Sequence, residues 1–185
     1  MIEKKSRRSI RLPHYDYRQN GIYFITVCTF QRACLFGDIS NGEMQLNYHG
    51  KIVNECWQEI PLHFPYAALD LSVVMPNHFH GILNINNSIK TVLPDKYKSQ
   101  QKVLPQSLSA IIRSFKAAVT KKIRGHGVGA QHAAPMQIWQ RNYYEHVVRN
   151  DEVLYQLQEY VQNNPLQWEL DDLNPHKIRN ELSNR

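Results

Sequence analysis

The chain has 185 residues, 42% hydrophobic and 21% charged, with a net charge of +6, proportions ordinary for one soluble globular domain. No apolar run is long enough to span a bilayer, and the opening MIEKKSRRSIRLP lacks the apolar stretch of a secretory signal. The default location is therefore the cytoplasm, and three cysteines, Cys28, Cys34 and Cys56, without C-x-x-C spacing suggest neither a disulfide framework nor a zinc knuckle.

Residues 1–18 read as a polar, basic arm of a single domain spanning 1–185. Ile22–Thr29 (IYFITVCT) is β-branched and aromatic, which predicts a strand. Cys34–Ile39 and Glu43–Leu46 flank Ser40-Asn41-Gly42, a hairpin signal. From Asn47, Ile52, Val53, Cys56, Trp57 and Ile60 recur at helical spacing until Pro61 and Pro65 stop the run. Leu69–Met75 and Phe79–Ile85 are two further strands joined by a turn at Pro76-Asn77. Residues 86–106 are a polar, Pro-containing loop. A helix begins near Ser107, its core stripe Leu108, Ile111, Ile112, Phe115, Val119 and Ile123. Gly125–Pro135 is Gly/Ala-rich and reads as a connector, and Gln137–Gln140 as a short strand. Asp151 is the expected N-cap of a last helix that Asn164-Pro165 terminates, with 166–185 as a tail. The order is α+β: a ferredoxin-like antiparallel sheet with helices on one face and one extra C-terminal helix.

Charge is segregated. Between Lys96 and Tyr144 there is no Asp or Glu but nine basic residues, so the remainder of the chain carries 13 basic against 16 acidic residues. A second basic cluster opens the chain at Lys4, Lys5, Arg7, Arg8 and Arg11. This is the footprint of a polyphosphate partner. A solvated basic face is the plain alternative, and an anionic membrane would also suit the charge. The 107–124 helix, however, has an ordinary core stripe and no exposed aromatic face, which disfavours a membrane partner.

The sharpest local feature is Val73–Ile85, VVMPNHFHGILNI. Residues two apart on a strand share a face, so His78 and His80 project side by side while Phe79 points the other way. Two such imidazoles can chelate one divalent ion, although isolated histidines also serve as hydrogen-bonded groups. A metallo-β-lactamase-like site would want Asp two residues after the second His, where Ile82 stands. On the last helix Tyr160 and Asn164 lie four apart, on adjacent turns of one face. Tyr160 is either a core aromatic or part of a polar group with Asn164. Tyr155 falls off that line and reads as surface.

Taken together, Arg7–Thr29, Val73–His80 (VVMPNHFH), Ser107–Arg124, Trp139–Asn150 (WQRNYYEHVVRN) and Glu159–Pro165 (EYVQNNP) resemble the REP-associated branch of the single-tyrosine transposases, members of the HUH (His, hydrophobic, His) endonucleases. The blocks run in order from near the start to Pro165. HFH alone is weak; HFH with W-Q-R…E-H-x-x-R-N and Y-x-x-x-N-P is highly specific. The resemblance implies a ferredoxin-like sheet with the histidines on a central strand and a nucleophilic tyrosine on a C-terminal helix. By that resemblance Tyr160 is the catalytic residue, and His78, His80 and Asn164 are the metal ligands for Mg²⁺ or Mn²⁺. Some relatives have Gln at the position of Asn164. The implied partner is single-stranded DNA, a hairpin such as a repetitive extragenic palindrome, which would hold the chain at the nucleoid. No membrane partner is implied, and the chain is a monomer or homodimer.

The reaction so implied is cleavage and strand transfer through a 5′-phosphotyrosine. Expected DNA contacts are Arg7, Arg8, Arg11, Arg113, Lys116, Lys121, Lys122, Arg124, Arg141 and Arg149, giving affinity without sequence information. Tyr15 and Tyr17 are expected to stack on bases. Glu145, His146 and Arg149 match a family block without an assignable role. Two other classes compete: a non-catalytic nucleic-acid-binding relative of the same fold, and a metallohydrolase of small phosphoesters. The first predicts the same charge but has no need of His78, His80, Tyr160 and Asn164 together. The second needs neither Tyr160 nor the long acid-free segment.

Overall fold

A β-branched and aromatic strand, Gly21–Cys28 (β1), organises the sheet, with partners on both sides along its length. In the computed structural model, which describes residues 16–17, 19–88, 107–126 and 137–177, the chain continues into a hairpin of Gly37–Ser40 (β2) and Glu43–Leu46 (β3). It then forms helices Tyr48–Gln58 (α1) and Ile60–His63 (α2), strands Ala67–Val74 (β4) and His78–Ile85 (β5), and helix Leu108–His126 (α3). Strand Tyr144–Val148 (β6), helix Asp151–Asn163 (α4) and a 3₁₀ turn over Pro165–Leu170 follow. The main sheet has the order β4-β5-β1-β6 and every pairing is antiparallel. With α1 connecting β1 to β4 and α3 preceding β6, this is the ferredoxin-like arrangement. Among the described residues no helix is long and apolar enough to cross a membrane.

Local chemistry explains the elements. Asn41 and Gly42 both take positive φ (53° and 76°), as a two-residue hairpin turn matched to strand twist requires. Asn47 caps α1, its side chain accepting from Gly50 N–H at 3.0 Å. Pro61 does not simply end a helix. It sits in the first turn of α2, where its missing N–H costs nothing. The cap of α4 is Asn150, not Asp151: Asn150 accepts from Val153 N–H at 2.9 Å, and Asp151 occupies the first turn. The strand expected at Gln137–Gln140 is reduced to one bridge, Thr29 to Trp139. The ladder beside β1 belongs instead to Tyr144–Val148.

The sheet separates two environments. Tyr23, Ile25 and Val27 of β1 and Phe79, Leu83 and Ile85 of β5 are fully buried in the core, on the face covered by α1 and α3. There Trp57 of α1 packs on Phe79 and Phe115 of α3 (ring centroids 4.6 and 5.4 Å). Gly81 belongs to this face, because a Cβ there would lie 2.5 Å from the Trp57 ring. Tyr17, expected to stack on bases, is buried in the core 6.4 Å from the Tyr23 ring. The expected base partner Tyr15 and the arm residues Arg7, Arg8 and Arg11 lie outside the described residues. The three cysteines are free thiols.

Candidate active site

Because side chains alternate along β5, the residues flanking Phe79 turn away from the core. His78 (0% exposed) and His80 (2%) face the opposite side, with ring centroids 4.6 Å apart. Each ring is oriented from behind. The Asn77 amide donates to Arg32 O at 3.1 Å and Leu173 O at 2.7 Å, which fixes its oxygen as an acceptor. His78 Nδ1, 2.8 Å from that oxygen, must therefore be the donor, and Nε2 keeps its lone pair. His80 Nδ1 lies 2.8 Å from Thr26 Oγ1, and its Nε2 lies 3.3 Å from the Tyr160 hydroxyl. With the hydrogen on Nδ1, His80 donates to Thr26 and accepts from the phenol. Outer partners that fix tautomer and ring orientation are what metal-binding histidines require.

Tyr160 comes from α4, which covers this second face. Its ring stands edge-on to Phe24 (6.0 Å) and to His80 (5.2 Å), and Phe24 stacks on the His80 ring at 5.1 Å. At 39% exposure Tyr160 is not a core aromatic. One turn on, Asn164 is buried at 1% exposure and caps α4 immediately before Pro165. Tyr155 on the same helix is 61% exposed and points outward. The structure thus brings His78, His80, Tyr160 and Asn164 together.

It also adds a group that no sequence pattern marks. The segment after α4 folds back, and Asp171 Oδ2 comes within 3.7 Å of His78 Nε2 and 3.4 Å of Asn164 Nδ2. A cleft of about 600 Å³ opens beside Tyr160, lined by Phe24, Tyr144, Leu157, Gln167 and Asp171 among others.

Burial dominates the electrostatics. It depresses His78 to about 4, against the opposing pull of the Asp171 carboxylate and the Asn164 side chain. It holds His80 well below the usual histidine range, and the neighbouring His78 pushes the same way. Both rings are neutral near pH 7, the state in which imidazole binds metal. Burial also raises the Tyr160 phenol, reinforced by the negative charge of Asp171. His78 Nε2 and Asn164 Oδ1 are buried polar atoms without a hydrogen-bond partner among the described residues, which costs free energy unless something is bound there. His78, His80 and Asp171 offer donor atoms all within 4.8 Å of one another. The residues present fit a divalent ion.

The basic residues lie elsewhere. α3 buries Phe115 and Val119 on the far face of the sheet, with Arg113, Lys121 and Arg124 on its exposed side. Lys116 Nζ donates to the carbonyls of Gln140, Arg141 and Asn142 at 2.6, 3.2 and 3.3 Å. Lys122 bonds Glu59 at 2.9 and 3.1 Å. Arg141 and Arg149 are exposed on the segments flanking β6. None of these reaches the histidines.

No family model matches the chain. An uncharacterized Haemophilus influenzae protein is 45% identical over 172 residues, covering 90% of this chain and 92% of the relative. A second H. influenzae protein, a candidate REP-associated tyrosine transposase, is 21% identical over 154 residues, covering 82% of this chain and 73% of the relative. The solved structure of a REP-associated tyrosine transposase bound to a REP hairpin shares the fold at a TM-score of 0.54 and 20% identity. It covers 85% of this chain and 73% of that one. The chain thus has the fold of that solved transposase and is similar in sequence, over most of its length, to both H. influenzae proteins.

Proposed function

We propose that the protein is a metal-dependent single-strand DNA endonuclease and strand transferase that acts on hairpin DNA through a 5′-phosphotyrosine. The observation carrying this reading is the Tyr160 hydroxyl 3.3 Å from His80 Nε2, half-exposed at the mouth of a cleft and beside the buried Asn164. Tyr160 Oη attacks a backbone phosphorus, the bond from phosphorus to the 3′ oxygen breaks, and that oxygen leaves as a 3′-hydroxyl once protonated. A second 3′-hydroxyl attacks the phosphotyrosine and releases the phenol, so joining consumes no external energy source. The phenol is held above its ordinary range by burial and by Asp171, so it gives up its proton during attack and not before. His78, His80 and Asn164 would hold Mg²⁺ or Mn²⁺, which when bound supplies Lewis-acid polarisation of the phosphoryl oxygen. Phe24 packs against both the His80 and Tyr160 rings and keeps the nucleophile aligned with the ligands.

The test is incubation of the wild type and Tyr160→Phe with single-stranded hairpin oligonucleotides and Mn²⁺. Wild type should give cleavage and a denaturation-resistant protein–DNA adduct. Tyr160→Phe should lose both while retaining hairpin binding and melting temperature, and Tyr155→Phe should match wild type. Cleavage with no adduct in any variant would favour water as nucleophile. Hairpin binding with no cleavage by the wild type would favour a non-catalytic relative.

A further inference from the structure

We propose that Asp171 is the anionic ligand of the ion faced by His78, His80 and Asn164, so that binding the ion and docking the segment after the tyrosine helix are one event. The proposal rests on the same ion as the proposed nuclease and deepens that function. Nothing in the sequence spacing marks Asp171, which lies seven residues past Asn164 and beyond Pro165. Its two oxygens do different things. Oδ1 accepts from Leu173 N–H at 2.6 Å and closes a local turn. Oδ2 is turned to the site, with only the long contact from Asn164 Nδ2 and His78 Nε2 at 3.7 Å. The side chain is only 6% exposed, and a buried carboxylate oxygen so poorly supplied with donors is costly unless a cation meets it. His78 Nε2 and Asn164 Oδ1 are both buried and without partners among the described residues, and Asp171 Oδ2 lies near both side chains. Donor atoms on one ion of bond length about 2.0–2.3 Å stand up to roughly 4–4.6 Å apart. The group's donor atoms all lie within 4.8 Å of one another, close to that range.

The segment that carries Asp171 is held weakly by other means. Its 3₁₀ turn buries no residue, and Leu166 and Leu170 are 70% and 75% exposed. Its fixed points are polar and cluster around the metal-facing histidine. Asn77 Nδ2 donates to Leu173 O at 2.7 Å while the same amide's oxygen holds His78. Arg32 donates to Asp172 O at 2.9 Å, and the Trp168 ring lies 6.1 Å from that of His78. A segment with so little apolar burial opens at low free energy, and a ligand bond from Asp171 would be one of its main anchors.

The experiment uses the full chain and does not depend on cleavage. Mn²⁺ affinity is measured by electron paramagnetic resonance for wild type, Asp171→Asn and Tyr160→Phe, with amide hydrogen exchange over 165–174 with and without Mn²⁺. Asn keeps the local turn and removes the charge, and a thermal melt checks the fold. Asp171→Asn should bind Mn²⁺ at least tenfold more weakly, as loss of even an outer support of a metal site costs 10–100-fold. Mn²⁺ should slow exchange across 165–174 in wild type and Tyr160→Phe, and not in Asp171→Asn. Wild-type affinity in Asp171→Asn, or exchange in 165–174 indifferent to Mn²⁺ in the wild type, overturns the proposal. A protein that cleaves nothing yet binds Mn²⁺ through Asp171 upholds it while the nuclease reading fails. Normal Mn²⁺-dependent cleavage with unchanged affinity in Asp171→Asn does the reverse.

Discussion

At the scale of single residues, the site works by fixing which nitrogen of each histidine faces the cleft. Asn77, whose amide is locked by two carbonyls, gives His78 one tautomer, and Thr26 supports the other ring. These partners carry no mark in the sequence: Asn77 looks like a turn residue and Thr26 like any β-branched strand residue. The depressed histidine in turn ties stability to pH. The folded His78 sits near 4 against 6.5, so below pH 6.5 the unfolded chain binds more protons and stability falls, until the folded form also titrates near 4. At pH 5 this single group should cost the metal-free protein about 2 kcal/mol relative to pH 7.5, and His80 acts in the same direction. Denaturant unfolding in EDTA at the two pH values measures it. His78→Asn should flatten that dependence, and an unchanged pH slope in that variant would show that folding does not shift the His78 imidazole.

Elements differ in how plainly the sequence announces them. β1, β5, the hairpin and α3 carry period-two or helical patterns that packing reinforces, and the i to i+4 spacing of Tyr160 and Asn164 follows from helix geometry alone. β6 does not. It is an edge strand, Tyr-Glu-His-Val-Val, in which only Val148 is buried, so it lacks the alternation of apolar residues that announces a strand. Asp171 reaches the site only because the tail reverses after Pro165, a tertiary event with no local signature. Lys116 shows the same limit. By charge it belongs with the α3 residues expected to contact phosphates, yet its ammonium holds the three carbonyls that lead into β6, and burial lowers it to about 8. Lys116→Met should therefore destabilise the fold by about 1 kcal/mol, chiefly through loss of the part-buried hydrogen bond to Gln140 O. Thermal melting measures that effect. A Lys116→Met protein as stable as wild type but weaker on DNA would return this residue to the phosphate-binding set.

For the whole molecule, the sheet divides chemistry from charge. His78, His80, Tyr160 and Asn164 lie on one face beneath α4, while α3 and its cations lie on the other. Lys121, Arg124 and Arg141, with Lys116, line a second cleft of about 650 Å³ on the α3 side. Exposed Arg149 directly follows β6, an edge strand of the sheet. Under the proposed function the back-face cations would set affinity and leave the chemical step alone. Changing Lys121 and Arg141 together to Ala should weaken binding to unrelated single strands. It should also flatten the slope of log affinity against log salt by up to about 0.7 for each phosphate no longer neutralised. Cleavage at saturating DNA should proceed at the wild-type rate, because no altered side chain reaches the reacting atoms. Lys116 and Lys122 are left in place, since both are engaged within the protein and removing them would mix folding with binding. An unchanged salt slope would make the α3 side a merely solvated face. A slower rate at saturation would mean that the strand's path over the back face also positions the phosphate at Tyr160.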